Sequence, residues 1–179
     1  MPSGRNSRNR SRQILLWNAI GSGHDPDGWT REQKRTVSLT SRSTNMADIK
    51  ALIRLATEAR DTAHAPYSNH PVGVALVTDS GEIYTGCNVE NAAYPLGSCA
   101  EQSAISAMVR GGGRAITELV VVGPSEEPCT PCGGCRQRIR EFSTPDTVVH
   151  SCSSQRVLLT MTMDALLPHS FGPKNLNRR

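Results

Sequence analysis

The spacing of apolar residues divides the chain into two parts. Residues 1–45 are rich in Arg, Ser, Asn and Gly and contain one short apolar run, Ile14–Trp17. A segment of this kind buries too little apolar surface to offset the entropy of folding, so we expect it to be disordered. From Met46 onward, apolar residues recur at regular spacing, and the folded domain is therefore placed at residues 46–179.

Two explanations of the leader, residues 1–45, stay open. In the first, translation starts at Met46 and the leader is an artefact of gene prediction. In the second, the leader is a mitochondrial transit peptide, because it is rich in Arg and Ser and poor in acidic residues. A peptide spanning residues 40–50 in a mass spectrum of the native protein would exclude the first explanation.

After Met46, the spacing of apolar residues changes repeatedly between that of a helix and that of a strand. Helical spacing predicts three helices: one begins at Met46, one covers residues 98–110 and one covers residues 136–142. Short β-branched runs predict strands at residues 72–78, 82–87, 119–122, 147–150 and 156–160. The alternation indicates an α/β layered domain, with the cysteine motifs at strand-to-helix junctions, where ligands bind in open sheets.

The distribution of charge argues against a polyanionic partner. Residues 1–45 carry eight basic and three acidic side chains, whereas residues 46–179 carry twelve basic and thirteen acidic ones. A nearly neutral domain lacks the basic surface of a nucleic-acid-binding protein. No apolar run approaches the roughly 18 residues of a membrane span. We therefore expect a soluble, cytoplasmic protein that acts on a small molecule and binds neither nucleic acid nor membrane.

Three of the six cysteines have the positions expected of metal ligands. Cys132 and Cys135 form a CxxC pair, a spacing that lets two thiolates converge on one tetrahedral ion. Cys99 lies at the predicted start of a helix, where the helix dipole favours a thiolate. Glu101 adds a carboxylate beside the metal rather than on it, as proton transfer requires. We predict one Zn²⁺ per subunit, held by Cys99, Cys132 and Cys135.

Two other metal sites fit the cysteine spacing less well. Cys129, Cys132 and Cys135 resemble part of an iron–sulfur ligand run, but the fourth cysteine of that run is missing. In a closed, structural zinc site, Cys87 or Cys129 could be the fourth ligand, but Glu101 would then have no catalytic role. Otherwise Cys87, Cys129 and Cys152 are interpreted as small buried or surface residues.

Six motifs follow one another in the second part of the chain. They are Ala65–Ser68, Pro71–Gly73, Cys87–Tyr94, Cys99–Glu101, Pro131–Gln137 and Leu166–Pro173. From about Met46 to Leu176 the chain thus resembles the small, homotetrameric, zinc-dependent cytidine deaminases. The resemblance implies a three-layer α/β/α fold around a mixed sheet of about five strands. It also implies hydrolytic deamination of cytidine and 2′-deoxycytidine to uridine and 2′-deoxyuridine, with release of ammonia, in pyrimidine salvage.

The resemblance also implies roles for individual residues. Glu101 carries protons between water, the ring nitrogen and the leaving amine. Asn88 and Glu90 bind the ribose 3′-hydroxyl, and the main chain at Ala100 and Glu101 meets the cytosine edge. Tyr94 and Phe171 lie at subunit contacts beside the active site, so a complete site implies a homotetramer.

Two residues depart from the family pattern. Gln102 stands where many members have an Arg that hydrogen-bonds to the thiolates, so the helix N-termini, with Arg136 as a helper, must offset more of the negative charge. His70 stands where a Phe usually stacks on the pyrimidine. Imidazole is smaller and more polar, and we expect weaker binding of the base.

Two further classes of function stay open. One is a deaminase of the same fold that acts on a modified nucleoside, an antibiotic nucleoside or RNA. The other is a non-catalytic, zinc-stabilised interaction domain. A basic groove would favour the first and loss of Glu101 the second, and the sequence has neither feature.

Overall fold

The computed structural model of the protein describes residues 46–176, so the predicted disorder of residues 1–45 lies outside the described residues. Four helices and five strands make up the described part. They are α1 (Met46–Asp61), β1 (Gly73–Thr78), β2 (Ile83–Cys87), α2 (Ala100–Gly111), β3 (Ile116–Val122), α3 (Gly133–Glu141), β4 (Ser143–Cys152), β5 (Val157–Thr162) and α4 (Met163–Leu166). Two 3₁₀ turns, Tyr94–Leu96 and Pro173–Leu176, complete it.

The strands form one mixed sheet in the order β2-β1-β3-β4-β5. β1 pairs with β2 and β3 in antiparallel fashion, β4 pairs with β5 in the same way, and β3 and β4 run parallel. The connection between these two parallel strands contains α3. The predicted mixed sheet of about five strands is thus confirmed.

The central strands are buried on both faces, as their continuous apolar runs predict. On β3, Leu119 and Val121 pack against the side of the sheet that carries α2, α3 and α4. Val120 and Val122 point the other way and pack with Leu52 and other residues of α1. Because successive side chains of a strand alternate between faces, one strand supplies two cores. The three-layer α/β/α architecture is confirmed.

Two glycines allow the helices to approach the sheet closely. A Cβ atom on Gly73 would lie 1.9 Å from the Ala56 carbonyl oxygen of α1. A Cβ atom on Gly86 would lie 2.3 Å from the backbone nitrogen of Ala104 in α2. Any larger residue would push the helix away, so Gly86 helps to set the position of α2, which carries part of the candidate site at its start.

Some element boundaries differ from the predicted ones. α3 begins at Gly133, three residues before the predicted start, because Cys132 is its N-cap and the two glycines form its first turn. β4 begins at Ser143 rather than at residue 147, since Ser143 pairs with Ile116 of β3. The second difference arises from strand pairing, which local sequence preference does not encode. Among residues 46–176, no helix combines the length and apolarity that a membrane span needs.

Candidate active site

Two helix N-termini meet at the candidate site. Cys99 is the N-cap of α2 and Cys132 is the N-cap of α3, each with an extended backbone (φ −73°, ψ 158° and φ −64°, ψ 167°). The sequence placed both motifs after strands, which is wrong for Cys99: it follows the 3₁₀ turn Tyr94–Leu96 and Ser98, which bridges to Val89. The positive ends of both helix dipoles favour negatively charged sulfur at these two positions.

The three predicted ligands converge at this point. Cys99 Sγ lies 4.0 Å from Cys132 Sγ, and the Sγ atoms of Cys99, Cys132 and Cys135 all lie within 4.8 Å of one another. A tetrahedral zinc ion with Zn–S bonds of ~2.3 Å needs sulfur atoms ~3.8 Å apart, so the three thiols fit zinc. Within the described residues no other group of three metal-ligating side chains converges in this way. Three protein ligands leave a fourth position open, as in catalytic zinc sites.

Glu101 lies in the first turn of α2 and is 4% exposed. Its Oε2 accepts a hydrogen bond of 3.1 Å from the Cys135 thiol. The carboxylate therefore lies next to the buried ligand but outside the ligand group itself. A buried carboxylate in this position can exchange protons with a molecule bound at the metal, and this role of Glu101 stays a prediction.

The thiols differ in acidity. Burial raises the pKa of Cys135 well above the ordinary thiol value, and the charge of Glu101 raises it further. Burial also raises the pKa of Cys99, although a hydrogen bond with Cys135 opposes the rise. Burial opposes ionisation of Cys132 too, but hydrogen bonds from Cys135 and Cys99 prevail and leave its pKa below the ordinary value. The surroundings thus favour the ionised form at Cys132 and oppose it at Cys99 and Cys135.

Glu90 and Asn88 hold the segment that precedes β1. The Glu90 carboxylate accepts hydrogen bonds from the backbone N–H groups of Tyr67 (2.9 Å) and Ser68 (3.2 Å) and from the Ser68 hydroxyl. These bonds lower the pKa of Glu90, and the bond from the Ser68 hydroxyl has the largest effect. The Asn88 side chain accepts from the Val72 N–H (2.8 Å) and donates to the His70 carbonyl (3.1 Å).

A surface cavity of about 350 Å³ lies beside these residues and is lined by Tyr67, Ser68, Glu90, Asn91, Tyr94 and Gly97. Of the predicted substrate-binding residues, Glu90 and Tyr94 line it. Ala100 is buried at the start of α2, and Phe171 is 59% exposed near the end of the described chain. Sequence reasoning missed Ser68 and Tyr67 as partners of Glu90, since these contacts span more than 20 residues.

The residues at the two departures from the family pattern lie on different segments, Gln102 in α2 and His70 in the segment before β1. Gln102 is half-buried in the first turn of α2. The His70 ring is exposed, and its Nε2 lies 3.7 Å from Cys129 Sγ. The Arg136 guanidinium donates to the carbonyls of Pro131 (2.8 Å) and Leu166 (3.0 Å) and to the Thr130 hydroxyl (3.4 Å). It therefore holds the loop before Cys132, and its predicted role as a charge partner of the thiolates stays a prediction.

A three-layer α/β/α domain with three thiols at paired helix N-termini and a buried glutamate beside them defines a zinc-binding hydrolase of the deaminase class. Residues 46–151 match the family model of the cytidine and deoxycytidylate deaminase zinc-binding region. The chain belongs to this family.

Individual relatives agree with this assignment. The cytidine deaminase of Sporosarcina psychrophila is 40% identical over 130 residues, which cover 73% of this chain and 96% of that protein. The enzyme of Halalkalibacterium halodurans is 37% identical over 130 residues, with coverages of 73% and 98%. The crystal structure of cytidine deaminase from Burkholderia pseudomallei matches with a TM-score of 0.64 at 42% identity, over 68% of this chain and 97% of that one.

Proposed function

We propose that this protein hydrolyses cytidine and 2′-deoxycytidine to uridine and 2′-deoxyuridine, with release of ammonia, in pyrimidine salvage. The observation that carries the proposal is the buried Glu101 carboxylate beside a three-thiol metal site with an open fourth position. The family membership of the chain supports the same reaction.

In the proposed mechanism Cys99, Cys132 and Cys135 hold zinc, and Glu101 moves the protons. Zinc, when bound, supplies the Lewis acidity that makes water nucleophilic toward carbon 4 of the base at neutral pH. Glu101 receives the proton that the water releases and passes it to the ring nitrogen. It then takes the proton of the hydroxyl now bonded to carbon 4 and delivers it to the amine, which leaves as ammonia. One carboxylate thus serves as both acid and base.

We assign recognition of the nucleoside to two main-chain groups and two side chains. We assign the cytosine edge to the main chain at Ala100 and Glu101. We assign the ribose 3′-hydroxyl to Asn88 and Glu90, because an amide and a carboxylate can read a hydroxyl as both donor and acceptor. The bonds to His70 and Val72 use one of the two amide hydrogens of Asn88 and one of its oxygen lone pairs, so the amide keeps capacity for a ligand. A site that needs a free 3′-hydroxyl excludes bases inside a polynucleotide.

The assembled enzyme is proposed to be a homotetramer in the cytoplasm. Tyr94, Leu96 and Phe171 are 77%, 71% and 59% exposed, and large apolar side chains left exposed in this way favour a subunit interface. The six cysteines are free thiols, which suits a reducing compartment. Sedimentation velocity tests the tetramer: an active monomer would refute it.

The proposed reaction is tested by following cytidine turnover by absorbance in the wild type and in Glu101→Ala, with zinc measured in both. We expect turnover in the wild type and a loss of about 10²- to 10⁴-fold in the variant, while zinc stays at one per subunit. Glu101→Gln keeps the shape of the side chain and should lose as much. A zinc-loaded wild type that turns over neither cytidine nor 2′-deoxycytidine would contradict the proposal.

A further inference from the structure

His70 is held at three of its atoms. Its backbone N–H donates to the Ser68 hydroxyl (3.0 Å), and its carbonyl accepts from the Asn88 side chain (3.1 Å). At the tip of the ring, Nε2 lies 3.7 Å from Cys129 Sγ, within hydrogen-bond distance for sulfur. The first two bonds fix the backbone of His70, and the third fixes the orientation of its imidazole.

Cys129 is suited to a fixed contact. It lies half-buried in the loop between β3 and α3. A Cβ atom on Gly123 would lie 2.6 Å from Cys129 Cβ and 3.2 Å from its Sγ, so the glycine leaves the space that this side chain occupies. Burial, followed by the negative charge of Glu101, raises the pKa of Cys129. The surroundings therefore favour the protonated thiol, and the distance between Cys129 Sγ and His70 Nε2 allows a hydrogen bond between them.

We propose that Cys129 is a positioning residue that fixes the His70 imidazole for contact with the pyrimidine base. The inference rests on the proposed function and on the family resemblance, from which we expect His70 to occupy the position that faces the base. An exposed side chain that is already oriented loses less conformational entropy when the substrate binds, so the contact contributes to affinity. Glu101, which carries the protons in the proposed reaction, contacts Cys135, and Cys129 takes no part in that contact.

Removal of the thiol tests this role through the kinetic constants. We expect Cys129→Ala to raise KM for cytidine about two- to tenfold, the range for loss of one hydrogen bond, with kcat within about twofold of the wild type. Cys129→Ser retains a hydroxyl and should restore part of the affinity. Cys87→Ala is the matched control, since Cys87 is also half-buried and lies outside the thiol group of the metal site. A fall in kcat with unchanged KM would overturn the proposal.

A double-mutant cycle separates positioning from a general packing effect. If Cys129 acts through His70, Cys129→Ala changes KM in the wild-type background and leaves it unchanged in the His70→Phe background. An equal increase of KM in both backgrounds would show that Cys129 acts independently of His70, and the proposal would be wrong.

The contact itself is tested without turnover by NMR of zinc-loaded protein carrying ¹³Cε1-labelled histidine. The His70 signal, assigned from its loss in His70→Phe, should shift in Cys129→Ala and stay in place in Cys87→Ala. An unmoved His70 signal would overturn the inference even in an active enzyme. Lack of cytidine turnover by the wild type would instead refute the proposed function, whatever the NMR result.

Discussion

The metal-binding part of the site is held by helices, whereas the nucleoside-binding part is held by individual hydrogen bonds. Cys99, Cys132 and Glu101 lie at the first turns of α2 and α3, and both helices contribute buried residues to one core. The segments 64–72 and 88–98 are joined by one isolated backbone bridge, between His64 and Val89, and by the side chains of Glu90 and Asn88. Substitutions in the first part should therefore change metal content, kcat or both, and those in the second should change KM.

The largest effect is expected at the buried ligand of the metal part. Cys135→Ala removes a fully buried sulfur atom and leaves two ligands at the surface of the site. We expect zinc affinity to fall by at least about 100-fold and turnover to fall to background, because loss of even an outer partner of a metal ligand costs about 10- to 100-fold. Zinc content after dialysis and cytidine turnover measure the two losses.

Cys87→Ala is the control for this prediction, because it removes a thiol outside the metal group. It should keep one zinc per subunit and turn over cytidine at a rate close to that of the wild type. Full zinc content in Cys135→Ala, or equal loss in both variants, would contradict the ligand assignment.

An intermediate effect is expected in the nucleoside-binding part. Glu90→Gln weakens the bonds to Tyr67 and Ser68, and we expect KM for cytidine to rise about tenfold, because hydrogen bonds to a charged group are stronger than those to a neutral one. Zinc content should stay unchanged. If Glu90 also reads the ribose, the substitution should affect cytidine more than 3′-deoxycytidine.

Ser68→Ala distinguishes the two roles of Glu90. It removes one of the bonds that hold the segment while leaving the carboxylate in place. It should therefore raise KM for cytidine and 3′-deoxycytidine by the same factor. If Glu90→Gln also affects both substrates equally, the carboxylate serves only to hold the segment, and its assignment to the 3′-hydroxyl is wrong.

How well the sequence predicts each part of the site depends on how far apart the contacting residues lie along the chain. The CxxC pair and the Cys99–Glu101 pair are local patterns at predicted helix starts, so a short stretch of sequence carries the geometry of each pair. The contact between His70 and Cys129 joins residues 59 positions apart, and that between Ser68 and Glu90 joins residues 22 apart. No local preference encodes such contacts, because they depend on how the loops lie after the sheet has formed.

The smallest effect concerns the charge of the metal part. Three thiolates carry one negative charge more than Zn²⁺ neutralises, and Gln102, in the first turn of α2, is neutral. The Arg136 guanidinium donates its hydrogen bonds to oxygen atoms of Pro131, Leu166 and Thr130 rather than to the thiolates. The positive ends of the two helix dipoles therefore offset the negative charge of the thiolates. Gln102→Arg adds a positive charge near the thiolates. It should make the attacking water more acidic or bind zinc more tightly, with turnover near neutral pH about two- to fivefold higher.

The control for Gln102→Arg is Gln102→Met, which changes polarity without adding charge. If charge is the cause, Arg should shift the pH–rate profile toward lower pH or strengthen zinc binding in competition with a chelator, and Met should do neither. Because the half-buried position faces partly to solvent, added salt should reduce the advantage of Arg. An Arg variant with unchanged rate, pH profile and zinc affinity would show that the helix N-termini already balance the thiolates without help from a side chain.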